Sequence, residues 1–161
     1  MLFRSIRVDA QEEMAFTEFI QRLIADFPLS TEMSQAARRI FNEVYNHEEI
    51  VLTNPDRRLI DWLEMEYRLF RKIEFSRYGN MISKGFESVE QFIEVANTVL
   101  NRRKSRAGKS LEHNLSAIFD GHNLSYHSQQ KTEGNKKPDF IFPSITAYQD
   151  FTFPSNKLIF L

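Results

Sequence analysis

The spacing of apolar residues changes near residue 100, and this change constrains the fold most strongly. Before it, apolar side chains recur every three or four positions, which predicts helices over 10–27, 30–45, 88–100 and from Asn54–Pro55 to about Ile73. Asn, Ser and Thr before these segments, and Pro55 at a first helical position, are typical helix starts. Gly79–Asn80 and Gly85 predict breaks after the third helix. The first hundred residues are therefore expected to be helical.

Beyond residue 101 the predicted secondary-structure elements become shorter. One more helix is predicted over 105–119, followed by a turn at 121–123 and a loosely alternating strand over 124–130. Phe140–Phe142 predicts a short buried strand, and 157–161 is the opening of another apolar run. Helices followed by strands indicate the α+β class.

The same change suggests a division of the chain. Residues 1–100 would form a helical accessory layer, and residues 101–161 a core with strands. No Pro-, Gly- or Ser-rich linker separates the two parts, so one continuous domain is favoured over two.

Composition excludes several classes of protein. The 161 residues are 42% hydrophobic and include 15 Phe, which predicts a packed core and argues against disorder. The absence of Cys excludes disulfides, Cys-based zinc sites and a thiol nucleophile. No apolar run approaches the roughly 20 residues that span a bilayer, and no signal peptide is evident. We therefore expect a cytoplasmic protein without a membrane partner.

The net charge of −1 hides an asymmetry along the chain. Residues 1–100 carry 12 Lys and Arg against 17 Asp and Glu, whereas residues 101–161 carry 9 against 5. The basic part is suited to a polyanion such as nucleic acid.

Two acids in the basic part have the surroundings of a metal-dependent site. Glu112 lies in the predicted helix 105–119, next to Leu111, which is expected to face inward. Asp139 follows Pro138 at the mouth of the strand Phe140–Phe142, where a buried carboxylate is costly unless it is paired or bound to a cation. Mg²⁺ is held by one or two carboxylates and can activate water for phosphodiester cleavage. The alternative is a solvated helix acid and a turn acid.

A basic cluster precedes Glu112 and has the character of a DNA-binding surface. Five cations lie within eight residues: Arg102, Arg103, Lys104, Arg106 and Lys109. At a predicted helix start they oppose the helix dipole, so contact with DNA phosphates or guanine edges is one explanation. A solvated helix face is the other.

Two blocks together resemble a known family. The blocks are Asn101–Glu112, with the run Arg-Arg-Lys-Ser-Arg-Ala-Gly-Lys-Ser-Leu-Glu, and Thr132–Ser144, with Asn-Lys-Lys-Pro-Asp-Phe-Ile-Phe-Pro. They resemble the C-terminal catalytic domain of EcoRII-type restriction endonucleases. Upstream residues such as Phe27–Pro28 also resemble positions of that domain. The resemblance implies a PD-(D/E)XK nuclease fold, in which a helix packs on a mixed sheet that carries the acids.

The resemblance also implies roles for individual residues. Glu112 and Asp139 would be the metal-binding acids, with Tyr148 as a further site residue. The DNA-binding residues would be Arg102, Arg103, Lys104, Arg106, Lys109, Lys136 and Lys137, with Arg103 as the best candidate for base reading. It further implies Mg²⁺ as the cofactor, cleavage of double-stranded DNA at CC(A/T)GG-type sites, a homodimer and a cognate DNA methyltransferase in the same system.

The family's catalytic lysine follows the Pro-Asp strand and would lie just past Leu161. The sequence as written is therefore expected to be a C-terminally truncated, incomplete nuclease core that lacks full activity. Two alternatives stay open: a DNA-binding or partner-binding remnant without cleavage, and a helical interaction protein with an incidental basic patch.

Overall fold

A computed structural model describes residues 2–45 and 53–161 and confirms the α+β class. The helices are α1 (Leu2–Arg22), α2 (Ser30–Tyr45), α3 (Pro55–Lys84), α4 (Val89–Gly121) and the short α5 (Ile145–Gln149). The strands are β1 (His127–Ser128), β2 (Phe140–Phe142) and β3 (Ile159–Phe160). Within the described ranges, no helix combines the length and apolarity needed to cross a membrane.

The predicted helix starts at Asn54–Pro55 and at Ser88 are confirmed, whereas α1 begins at Leu2 rather than at residue 10. The Asn54 side chain accepts a hydrogen bond from the Arg57 N–H at 3.2 Å, with Pro55 in the first turn. The Ser88 hydroxyl likewise accepts from the Gln91 N–H at 3.1 Å, just before α4. These caps satisfy N–H groups that have no partner within the helix.

Two predicted ends are wrong. Helix α3 continues through Gly79 and ends at Lys84, so the predicted break at Gly79–Asn80 is wrong, whereas the one at Gly85, whose φ of 84° suits glycine, is confirmed. One glycine costs a helix only about 1 kcal/mol, which the long α3 absorbs. Helix α1 ends at Arg22 rather than at residue 27, and Ile24 is fully exposed. The chain leaves the helix before Pro28, which disfavours helical geometry in the residue ahead of it.

The predicted interruption between residues 100 and 105 is also wrong, because α4 is one helix of 33 residues. Residues 101–104 are Asn-Arg-Arg-Lys and contain neither Gly nor Pro. Arg and Lys are good helix formers, so the change in apolar spacing does not end the helix. The basic cluster therefore lies in the middle of α4, and the dipole argument that placed it at a helix start does not apply.

The chain divides into two compact units, Met1–Asn114 and Leu115–Leu161. This division lies within α4, whereas the expected accessory-layer boundary at residue 100 stays a prediction. Helices α1, α2 and α3 supply most of the core of the first unit. Its buried apolar side chains are Phe16, Met33, Ala36, Ala37, Ile40, Phe41, Trp62, Met65, Leu69, Phe70 and Ile73.

The second unit is built around a small antiparallel sheet in the order β1-β2-β3. Ile141 of the central strand pairs with His127 on one side and Phe160 on the other. The ring of Phe119, near the end of α4, makes edge contacts with Phe140 and Phe142 at 5.1 Å between centroids. The buried strand 140–142 is confirmed. The expected strand 124–130 shortens to two residues, and the sheet formed by the described residues is antiparallel rather than mixed.

Removing a buried leucine tests the packing of the first unit. Leu69→Ala should lower the free energy of unfolding by about 2–5 kcal/mol, because Leu69 is fully buried in α3 and its loss leaves a cavity. Leu29→Ala is the control: that side chain is 70% exposed, and the change should stay within about 0.5 kcal/mol. Equal effects in urea unfolding would contradict this core.

Candidate functional site

Asp139 lies immediately before the central strand β2 and is exposed. Its Oδ1 accepts a hydrogen bond from the Gln129 side chain at 2.8 Å, and its backbone oxygen accepts from the Gln129 N–H at 3.1 Å. The predicted position at the strand mouth is confirmed, but the expected cost of burial is not present. The residue is therefore a solvated carboxylate held in place by its neighbour, open to a ligand from solvent.

An open cavity of about 590 Å³ lies beside Pro138 and brings three of the predicted residues together. Lys136, Lys137 and Tyr148 all line it. Tyr148 is held by an edge contact between its ring and that of Phe160 at 5.5 Å. Two ammonium groups and a phenol around one opening, with Asp139 next in sequence, form a place where a phosphate could bind near a carboxylate.

Glu112 belongs to the first unit and is half-buried on α4. Its neighbour Leu111 is 45% exposed, so the expectation that Leu111 faces inward is wrong. The inward positions are instead Ser110, Asn114 and Ile118, spaced four residues apart. Among the residues that the structure describes, no group of three or more Asp, Glu, His or Cys could hold a metal ion.

Arg103 is held by a buried carboxylate of α3. Its Nε donates to Glu74 Oε1 at 2.8 Å and its Nη2 to Glu74 Oε2 at 2.6 Å, which is a two-point arrangement. These hydrogen bonds to Glu74 raise the pKa of Arg103. Base reading by Arg103 stays a prediction, and it would require this pair to open.

The other arginines of the cluster lie against aromatic rings. The Arg102 guanidinium lies 4.2 Å from the Phe27 ring centre. Arg106 lies 5.2 Å from the Phe70 ring centre and pairs with Glu66 at 3.9 Å. Lys104, Lys109, Lys136 and Lys137 are exposed, so these lysines are the freest cations of the predicted set.

A buried polar network behind the cluster was not predicted. Glu66 is 1% exposed, and its Oε2 accepts from the Ser34 hydroxyl at 2.8 Å and from the Asn114 amide at 3.0 Å. Arg38 donates to the Asn114 oxygen at 2.8 Å, and burial lowers the pKa of Arg38 while Glu66 opposes that shift. The available sequence signal was an acid at a core position, four residues after Trp62.

The sequence model of the family described as EcoRII C terminal matches residues 70–161 of the chain. The chain belongs to the EcoRII C-terminal family. The match contains all ten predicted site residues and begins within α3, so α1 and α2 lie outside it.

A relative with a known name agrees with this assignment. The chain is 51% identical over 106 residues to the "Type II restriction enzyme EcoRII" of Escherichia coli. The alignment covers 65% of this chain and 26% of that enzyme, so the chain spans about a quarter of the length of its relative.

The ion pair between α3 and α4 can be tested by charge removal. Arg103→Gln should lower the free energy of unfolding by about 1–2 kcal/mol, because it leaves the Glu74 carboxylate without its fork. The loss should be smaller than the 3–5 kcal/mol of a fully buried pair, since the Arg103 side chain is 44% exposed.

Lys104→Gln is the matched control, because it removes one positive charge from the next, exposed position. It should change stability by less than about 0.5 kcal/mol. If Arg103→Gln left stability unchanged and weakened DNA binding more than Lys104→Gln, Arg103 would be a DNA ligand rather than a helix-pairing residue.

Proposed function

We propose that this chain is the DNA-cleaving domain of a type II restriction endonuclease. The observation that carries the proposal is the family match over residues 70–161, which contains both candidate acids and the basic residues. The 51% identity to the E. coli enzyme supports it. The exposed lysines beside Asp139 suit a substrate whose backbone carries a phosphate at every nucleotide.

The core is proposed to be of the PD-(D/E)XK type. Pro138–Asp139 immediately precedes β2, and Glu112 lies on α4, whose later residue Phe119 packs on that strand. This order of a helix-borne acid and a Pro-Asp strand supports the assignment.

Mg²⁺ is the proposed cofactor, with Asp139 and Glu112 as its protein ligands. The fit is chemical: Asp139 is an exposed carboxylate, and Mg²⁺ needs only one or two carboxylates because water and phosphate oxygens fill its other positions. When bound, the ion would lower the pKa of a water molecule and stabilise charge on the phosphate.

The remaining roles belong to side chains of the chain itself. Lys136 and Lys137 would bind the phosphates on either side of the cut and hold the strand beside Asp139. The Tyr148 hydroxyl, on the same cavity, would hydrogen-bond a phosphate oxygen. Arg102, Lys104, Arg106 and Lys109 would contact the duplex along α4, and Arg103 would read a base if its pair with Glu74 opened.

The finer properties are extended from the resemblance. The proposed substrate is double-stranded DNA with a CC(A/T)GG-type site, and the proposed assembly is a homodimer, since a two-fold dimer matches a two-fold site. A DNA methyltransferase that protects the same site would be the system partner, and the cytoplasm the expected compartment.

Exchange of residues into the relative tests the proposal at the level of chemistry. Residues 70–161, the segment matched to the family, would replace their counterparts in the E. coli enzyme, and Mg²⁺-dependent cleavage of a CC(A/T)GG duplex would be measured. We expect cleavage by the hybrid and a loss of at least about 100-fold with Asp139→Asn, because that change removes a carboxylate near the reacting phosphate.

The control is Asp120→Asn, an exposed acid of the same unit outside the cavity, which should cleave at the unaltered rate. Undiminished cleavage by Asp139→Asn would remove Asp139 from the site. A hybrid that binds DNA without cutting it would favour the alternative of a DNA-binding remnant.

The salt dependence of DNA binding tests the lysines of the cavity. Each phosphate contact adds about 0.9 to the slope of log affinity against log salt, so Lys136→Gln with Lys137→Gln should lower the slope by about 2. The matched control changes Lys131 and Lys157, two exposed lysines of the same unit that do not line the cavity, and should leave the slope nearly unchanged. If both pairs of substitutions lowered the slope equally, the cavity lysines would contribute only general surface charge and not specific phosphate contacts.

A further inference from the structure

A second cavity, of about 300 Å³, lies in the first unit beside the basic cluster. Arg102, Ser105 and Arg106 of α4 line one side of it. The other side is formed by the turn before α2 and the first residues of that helix, together with one ring of α3: Phe27, Pro28, Ser30, Met33 and Phe70. The cavity therefore combines two guanidinium groups and two hydroxyls with an apolar wall.

The two guanidinium groups are positioned by neighbouring rings. Arg102 lies over Phe27 at 4.2 Å and Arg106 over Phe70 at 5.2 Å, while the two rings are 5.8 Å apart. A guanidinium that lies over a ring contacts the ring with its flat face, and the N–H donors of the guanidinium point outward in the guanidinium plane. Stacking thus fixes the cations without using their hydrogen-bond donors.

The occupation of these donors distinguishes Arg102 from its neighbours. Arg103 donates two hydrogen bonds to Glu74, and Arg106 forms an ion pair with Glu66. Within the described part of the chain, Arg102 has no hydrogen bond or ion pair, and the Nε of Arg106 is buried without a partner. Two like charges four residues apart on one helix face repel each other, and a bound anion would offset that repulsion.

We propose that this cavity binds a backbone phosphate of nucleic acid, with Arg102 as its principal ligand. A phosphate is the anion whose oxygens match the planar fork of arginine. Ser105, one turn along α4, and Ser30 offer hydroxyl donors, although Ser30 also bonds to His113 at 3.1 Å. Phe27 and Phe70 already contact guanidiniums and each other, so the rings serve as a wall rather than as a platform for a base.

The anion site stands on this geometry alone, whereas the nucleic-acid source of the phosphate rests on the proposed function. The site also differs from the cavity of Lys136 and Lys137, because it belongs to the first unit and contains none of the candidate metal ligands. It would hold DNA at a phosphate other than the one that is cut.

Amide NMR spectra of the chain test the site without any need for cleavage. The probes are inorganic phosphate and the dinucleotide dTpdT, which carries a single phosphodiester. We expect dTpdT to shift the amide signals of residues 29–33 and 102–106 in a saturable way. Arg102→Gln should weaken this binding at least about tenfold, as expected for the loss of a charge-assisted contact.

Lys84→Gln is the control, since it removes a charge from an exposed position of the same unit outside the cavity and should bind dTpdT as the unaltered chain does. Thermal unfolding of both variants checks that the fold is kept. Arg102→Lys separates charge from fork, and it should recover only part of the affinity.

Three outcomes would overturn the proposal. They are no shifts at these residues, equal affinity of Arg102→Gln and the unaltered chain for dTpdT, or shifts that inorganic phosphate causes and dTpdT does not. The last would mean a free-anion site rather than a nucleic-acid contact. None of these results depends on cleavage by the hybrid enzyme, so failure here and failure of the proposed nuclease function are distinguishable.

Discussion

The buried carboxylates of α3 hold α4 in place, and the arrangement of the basic cluster depends on that contact. Glu66 and Glu74 are nearly inaccessible, and each faces groups on α4: Asn114 and Arg106 in one case, Arg103 in the other. Charged hydrogen bonds are directional, so they fix the rotation of α4 about its axis as well as its distance. That rotation decides which cations of the cluster face α3 and which, such as Lys104, face solvent.

Local signals predicted the parts of the fold that local chemistry controls. The caps at Asn54 and Ser88, the α+β order and the buried strand at Phe140 all followed from short patterns. The predicted helix end near residue 100 was wrong. A change in apolar spacing reflects a change in what surrounds the helix, and α4 continues through that change without a break. The inward position expected for Leu111 was wrong because the buried face of α4 is polar at that point, and hydrophobic periodicity cannot detect core positions occupied by Ser110 and Asn114.

The candidate site divides in the same way. The position of Asp139 before β2 followed from the Pro-Asp pattern, and the resemblance supplied Tyr148. The shared cavity of Tyr148 and the two lysines could be seen only in the folded chain. It depends on strand pairings between distant segments, which no short stretch of sequence predicts. The pairing of Arg103 with Glu74, 29 residues away, is equally invisible locally. Arg103, which the resemblance made the best candidate for base reading, therefore also stabilises the packing of α4 on α3.

The fork between Glu74 and Arg103 has a consequence for related sequences. A two-point pair tolerates no change in the length of either side chain unless the other follows, since Asp is shorter than Glu and Lys has no fork. Both positions lie within the segment matched to the family. Positions 74 and 103 should therefore covary among its members, with the pair either kept whole or replaced together by apolar residues of similar volume. The neighbouring exposed position 104 carries no such constraint from the fold.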